Sequence, residues 1–154
     1  MNKQRKWDLF FLRTARDLGT MSHCVSRQVG AICVLDGRIL SSGINGTPIG
    51  EKNCCEHFPL IGFEPKAHRE WSDINEVHAE MNLTLFAAKH GVSLAGSTMY
   101  ASLQPCSQCI KNIIQVGIKR IVYSEKYDRV TEEQNQAVIE RLANLDISYE
   151  HIPL

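Results

Sequence analysis

Two short strings carry the residues best suited to chemistry: His78-Ala79-Glu80 and Pro105-Cys106-Ser107-Gln108-Cys109. His78, Cys106 and Cys109 are donors of the kind zinc takes, and Glu80 is a carboxylate with no obvious need to bind metal. Three protein ligands leave the fourth corner of a tetrahedral zinc open to water, which separates a catalytic centre from a closed structural one. Zinc lowers the pKa of such a water toward neutrality, and a carboxylate two residues from the first ligand can take the proton and pass it on. The chemistry implied is hydrolysis, with Glu80 a proton shuttle and not a ligand.

Each string alone has blander readings. A Cys-x-x-Cys pair also serves as a redox couple or as half of a structural zinc knot, and a lone His on a helix usually packs or faces solvent. Their joint occurrence, each at the start of an expected helix, favours a catalytic zinc. A thioredoxin-type redox pair would sit near the N-terminus, whereas this one lies at 106–109.

Apolar spacing predicts a helix over residues 4–19, with Trp7, Phe10, Phe11, Thr14, Ala15 and Leu18 on one face, Trp7 in the core and Gly19 at the end. Residues 29–35 read as a buried strand, Asp36-Gly37 as a hairpin turn and 38–42 as the return strand. From Gly43 to about Ser72 no period is visible, and a loop of that length is usually functional or pinned by something. A helix over 75–90 ends at Gly91. A strand over 97–102, a helix over 106–116, a strand over 119–124, a helix over 131–144 and a strand over 147–152 follow. Strands alternating with helices imply parallel pairing behind an antiparallel hairpin, in one α/β domain spanning 1–154.

On a helix, positions two apart point about 200° away from each other, so His78 and Glu80 reach one metal only if the helix start abuts it. Pro105 suits the start of the second helix. Cys106 and Cys109, three apart, share one side of its first turn, where unpaired N–H groups stabilise thiolates.

Bulk properties narrow the partners. Lys+Arg and Asp+Glu stand at 17 each in 154 residues, with no run of five like charges. That balance argues against a nucleic-acid polymer, which calls for a basic stripe, while a small anion needs one or two local cations. No apolar run approaches the roughly 18 residues of a membrane span. Arg13, Arg16 and Asp17 interrupt any leader-like stretch, so a cytoplasmic location is expected, with no membrane partner. In a reducing compartment the cysteines at 24, 33, 54, 55, 106 and 109 are metal ligands or free thiols.

The strings Arg27-Gln-Val-Gly-Ala31, Gly43-Ile-Asn-Gly-Thr-Pro48, Asn53-Cys-Cys55, His68-Arg-Glu-Trp-Ser72, Asn75-Glu-Val-His-Ala-Glu80 and Pro105-Cys-Ser-Gln-Cys109 cover residues 24–127 fairly continuously. Together they resemble the deoxycytidylate (dCMP) deaminases, in the phage and bacterial branch of the zinc-dependent cytidine and deoxycytidylate deaminase family. The signature H-x-E…P-C-x-x-C is that of zinc nucleobase deaminases. The resemblance implies a cytidine-deaminase-like three-layer α/β/α fold with a mixed five-stranded sheet, assembled as a homohexamer. It implies hydrolysis of dCMP to dUMP and ammonia, supplying dUMP for thymidylate synthesis, in the host cytoplasm if the chain is phage-encoded.

By the same resemblance His78, Cys106 and Cys109 hold the catalytic zinc and Glu80 shuttles protons. Arg27, with its bidentate fork, is the cation expected on the phosphate. Asn45 resembles the family's sugar-binding Asn, Gly46 and Thr47 shape the loop beside it, Ala79 adds a substrate contact, and Tyr127 resembles a Tyr that touches the phosphate. Matching positions in the branch hold a second, structural zinc, here Cys24, Cys54, His68 and Glu76, with Trp71 packed beside it. Cys55 and His57 remain alternatives. Gly43, Ile44 and Gly46 match a segment associated with allosteric nucleotides, dCTP activating and dTTP inhibiting with Mg2+. The family often has Gly-Tyr-Asn-Gly there, and Ile44 removes an aromatic surface.

Rival readings are distinguishable. A tRNA adenosine deaminase shares the zinc strings but needs a basic surface. A free-cytidine deaminase commonly has Cys in place of His78, and a non-catalytic zinc module has no use for Glu80.

Overall fold

The computed structural model describes residues 2–154. In chain order these form helix α1 (Lys3–Gly19), strands β1 (Gly30–Leu35) and β2 (Arg38–Ile44), and helices α2 (Cys54–His57), α3 (Pro65–Asn75) and α4 (Ala79–His90). Strand β3 (Thr98–Leu103), helix α5 (Ser107–Gln115), strand β4 (Arg120–Glu125), helix α6 (Glu132–Ala143) and strand β5 (Ser148–His151) complete the chain. The strands form one sheet in the order β2-β1-β3-β4-β5. β1 runs antiparallel to β2 and β3, whereas β3–β4 and β4–β5 are parallel. Each parallel step is bridged by a helix, as such a crossover requires.

Side-chain alternation along the central strands sets the layers. Ala31, Cys33, Met99, Ala101, Ile121 and Tyr123 point to one face and pack with Leu83 and Ala87 of α4, Ile110 and Ile113 of α5 and Leu142 of α6. Ile32, Val34, Tyr100 and Val122 point to the other and meet Phe11, Leu12 and Ala15 of α1. The result is the expected α/β/α arrangement around a mixed five-stranded sheet. Burying one large apolar side chain contributes about 1.5–3 kcal/mol, so both faces matter to stability.

The apolar face expected for α1 needs correction. Trp7 is 44% and Phe10 53% exposed, and the buried stripe is Asp8, Phe11, Leu12 and Ala15. Asp8 takes the place that the apolar pattern assigned to aromatics because Arg120 reaches it with Nη1 and Nη2 at 2.7 and 3.0 Å. Burial opposes ionisation of Asp8, yet hydrogen bonds from Arg120, Tyr100 and Gln4 hold its carboxyl below the usual range.

Residues 43–72 are also more ordered than a loop. β2 runs on to Ile44, α2 starts with a reciprocal cap between Asn53 and Glu56, and α3 starts at Pro65 with Glu64 accepting from the N–H groups of Lys66 and Ala67. The helix expected from residue 75 begins instead at Ala79. Residues 76–78 are extended, held by a two-way bridge between Gly46 and Val77 with N···O distances of 3.1 and 2.8 Å.

Candidate active site

His78 is the N-cap of α4, still extended with φ −66° and ψ 153°. Glu80 lies inside the first turn. The change from extended to helical backbone between them resolves the two-residue spacing problem, since the 200° rule applies only where both residues are helical. Cys106 is likewise the extended N-cap of α5 and Cys109 is in its first turn. Two helix starts therefore meet.

His78 Nδ1 lies 3.5 Å from both Cys106 Sγ and Cys109 Sγ, and the three donor atoms fall within 4.8 Å of one another. Zinc bonds of about 2.3 Å to sulfur and about 2.0 Å to nitrogen place tetrahedral ligands about 3.5 Å apart, so the set fits that ion. The electrostatics agree. Cys106 is brought down to about 3, first by the hydrogen bond that the Cys109 thiol donates to it and then by His78, while Cys109 is pushed up in consequence. His78 is raised to about 8, chiefly by its hydrogen bond to Cys106.

Glu80 is 5% exposed, with Oε2 3.7 Å from Cys109 Sγ. Burial pushes its carboxyl pKa up, which favours taking a proton. Three donors that fit a zinc thus converge beside a buried carboxylate that favours taking a proton.

A second donor set lies close by. His68 Nε2 is 3.5 Å from Cys24 Sγ and 3.3 Å from Cys54 Sγ, and Cys24 Sγ is 3.4 Å from Glu76 Oε2. Cys54 is buried whereas Cys55 is exposed, and His57 packs on Trp71 at 4.8 Å between ring centroids. Trp71 does stand beside the set, 6.5 Å from His68. Glu76 Oε1 is buried without a hydrogen-bond partner, an orphan that a cation would satisfy. Burial raises Cys24 to about 12 and also raises Cys54, the cost of holding these thiols without a counter-charge.

Cys24, His68 and Glu76 of the second set and His78 and Cys106 of the first line one cleft. Its walls include Arg27, Asn45, Ala79 and Tyr127 with His78, Glu80 and Cys106. Asn45 Oδ1 accepts from Val29 N and its Nδ2 donates to Arg27 O, so its amide fixes the backbone that carries Arg27. Arg27 pairs with Asp128 at 2.6 Å. Thr47 follows the Gly46 bridge outside these walls. Gly43 packs its backbone against the start of α4, and Ile44 O accepts from Asn82 Nδ2. Sequence reasoning passed over Arg129, Gln104 and Asp73, which also line the cleft. The run Tyr127-Asp128-Arg129, a second charge pair next to an expected phosphate contact, was the available signal for Arg129.

Residues 5–125 match the model of the cytidine and deoxycytidylate deaminase zinc-binding region. The chain is 41% identical over 139 residues to the deoxycytidylate deaminase of Enterobacteria phage T4, spanning 70% of this chain and 72% of that one. It is 34% identical over 125 residues to the deoxycytidylate deaminase of Mycobacterium phage D29, spanning 78% and 95% respectively. The dCMP deaminase of cyanophage S-TIM5, solved in complex with dCMP and dUMP, superposes with a TM-score of 0.75 at 31% identity, covering 99% of each chain. The chain belongs to the cytidine and deoxycytidylate deaminase family, in its deoxycytidylate branch, and is a hydrolase.

Proposed function

We propose that the chain hydrolyses dCMP to dUMP and ammonia at a zinc held by His78, Cys106 and Cys109, supplying dUMP for thymidylate synthesis. The observation that carries this is the meeting of those three donors beside buried Glu80 in one cleft. The names of the phage relatives support the choice of substrate.

Bound zinc would supply a water acidified to near neutrality. Glu80 accepts that water's proton on its carboxylate and returns protons to the ring nitrogen and to the departing ammonia, as water adds to the ring carbon bearing the amine. Ala79 lines the base end of the cleft, Asn45 the sugar side with Thr47 on the loop that continues from it, and Arg27 and Tyr127 the phosphate end. Cys24, Cys54, His68 and Glu76 hold a second, structural zinc that joins α2 and α3 to the site, a reading supported by their donor distances and the orphaned Glu76 oxygen. The same proposal includes a homohexamer, by family resemblance. It includes dCTP activation and dTTP inhibition with Mg2+, read on Gly43, Ile44 and Gly46 by family resemblance. Among the described residues no helix is long and apolar enough to cross a membrane.

Glu80→Gln tests the mechanism. The variant keeps its zinc by metal analysis and loses turnover by roughly 10²–10⁴-fold. Retained turnover would remove Glu80 from its role.

A further inference from the structure

Arg27, the cation that the sequence offers for an anionic tail, is already engaged by Asp128. The cation that follows Asp128 in the chain is placed differently. Arg129 has its guanidinium over the Tyr127 ring at 5.8 Å from the centroid, and Arg27 lies over the same ring at 5.3 Å. Both arginines line the cleft that contains His78 and Glu80. Among the ion pairs of the described residues Arg129 has no carboxylate partner, whereas Arg27 has one. Two guanidiniums gathered at one ring repel each other unless an anion joins them, and Asp128 offsets only one of the two charges. The Arg27–Asp128 pair is itself exposed, with side chains 38% and 67% accessible, so it is screened and readily exchanged.

We propose that Arg129 is a second cation of the phosphate subsite, and that Asp128 is a resident counter-ion which holds Arg27 at Tyr127 and releases it to an incoming phosphate. The inference rests on the dCMP reading and adds the residues that make it selective for a phosphorylated substrate. A phosphate monoester carries roughly −1.5 to −2 at pH 7, more than the single charge of Asp128, and its oxygens suit two arginine forks. An unphosphorylated nucleoside brings nothing to displace Asp128 and leaves Arg129 without a partner.

The test compares wild type, Arg129→Ala, Arg129→Lys and Asp128→Asn for turnover of dCMP and deoxycytidine, and for calorimetric binding of dUMP and deoxyuridine. Arg129→Ala lowers the kcat/KM preference for dCMP over deoxycytidine by roughly tenfold to a hundredfold, through KM more than kcat, and weakens dUMP binding in proportion. Arg129→Lys recovers part of the loss. Asp128→Asn lowers KM for dCMP, because the phosphate no longer competes for Arg27. Equal losses on both substrates in Arg129→Ala, or an unchanged Kd for dUMP, would overturn the role of Arg129. A higher KM for dCMP in Asp128→Asn would overturn the counter-ion role. Wild type that shows no preference for dCMP would overturn the nucleotide reading itself, and this one with it.

Discussion

At the scale of single residues, the chemistry depends on which of several similar side chains faces a site. Cys54 and Cys55 are chemically identical neighbours, yet the first is buried beside His68 and the second is exposed. Cys54→Ser is expected to drop bound zinc from two per chain to one and to lower Tm, while Cys55→Ser keeps two and stays within about 0.5 kcal/mol of wild type. Metal analysis with thermal unfolding checks both. Equal metal loss in the two variants would remove the second site as drawn. The convergence of the donors at 78, 106 and 109 was legible from spacing, because few residue types suit zinc and both strings fall at helix starts. The choice between Cys54 and Cys55 was not, since it follows from a helix of four residues, Cys54–His57, whose first position faces inward.

At the scale of elements, the helix starts do the positioning. Gly43 of β2 packs so closely on α4 that an added Cβ would overlap the Ala79 carbonyl oxygen and the Leu83 nitrogen. Both are backbone atoms, so α4 would have to move, and His78 and Glu80 with it. Gly43→Ala is therefore expected to cost about 1–3 kcal/mol and to lower turnover of the folded fraction, measured by denaturant unfolding and by activity per bound zinc. Wild-type stability in that variant would contradict the packing. The strands of the sheet and the presence of helices α1, α4, α5 and α6 were readable from their apolar periods, whereas the buried face of α1 and the start of α4 were not, because an Arg120–Asp8 pair and the Gly46–Val77 bridge set them. α3 was not, because His68 is its one buried residue and it faces polar donors instead of an apolar core. Glu64-Pro65, a side-chain cap followed by proline at the first helical position, was the local signal available.

At the scale of the whole molecule, an ion network ties α1 to the far strands of the sheet. Arg120 of β4 binds Asp8 of α1 and Glu150 of β5, and Tyr100 of β3 donates to the same aspartate at 2.7 Å. Asp8→Asn is expected to destabilise the fold by about 2–3 kcal/mol at neutral pH, because it leaves a partly buried arginine short of a partner. The pH dependence has a definite sign. The folded-state pKa of Asp8 lies below its ordinary value of 3.8, so its stabilisation is present above that value and is lost as pH falls through the lowered one. The gap between wild type and Asp8→Asn in unfolding free energy should hold from neutral pH down to about 5 and narrow in more acid solution. A gap that widens on acidification would contradict the network.

The most direct test of the central claim is ammonia release by the zinc-loaded protein from dCMP, deoxycytidine and a tRNA substrate, measured side by side. Turnover of dCMP far above that of the other two is the predicted result. Turnover of RNA, or of deoxycytidine as readily as dCMP, would keep the zinc chemistry and contradict the assignment of a phosphorylated mononucleotide as substrate.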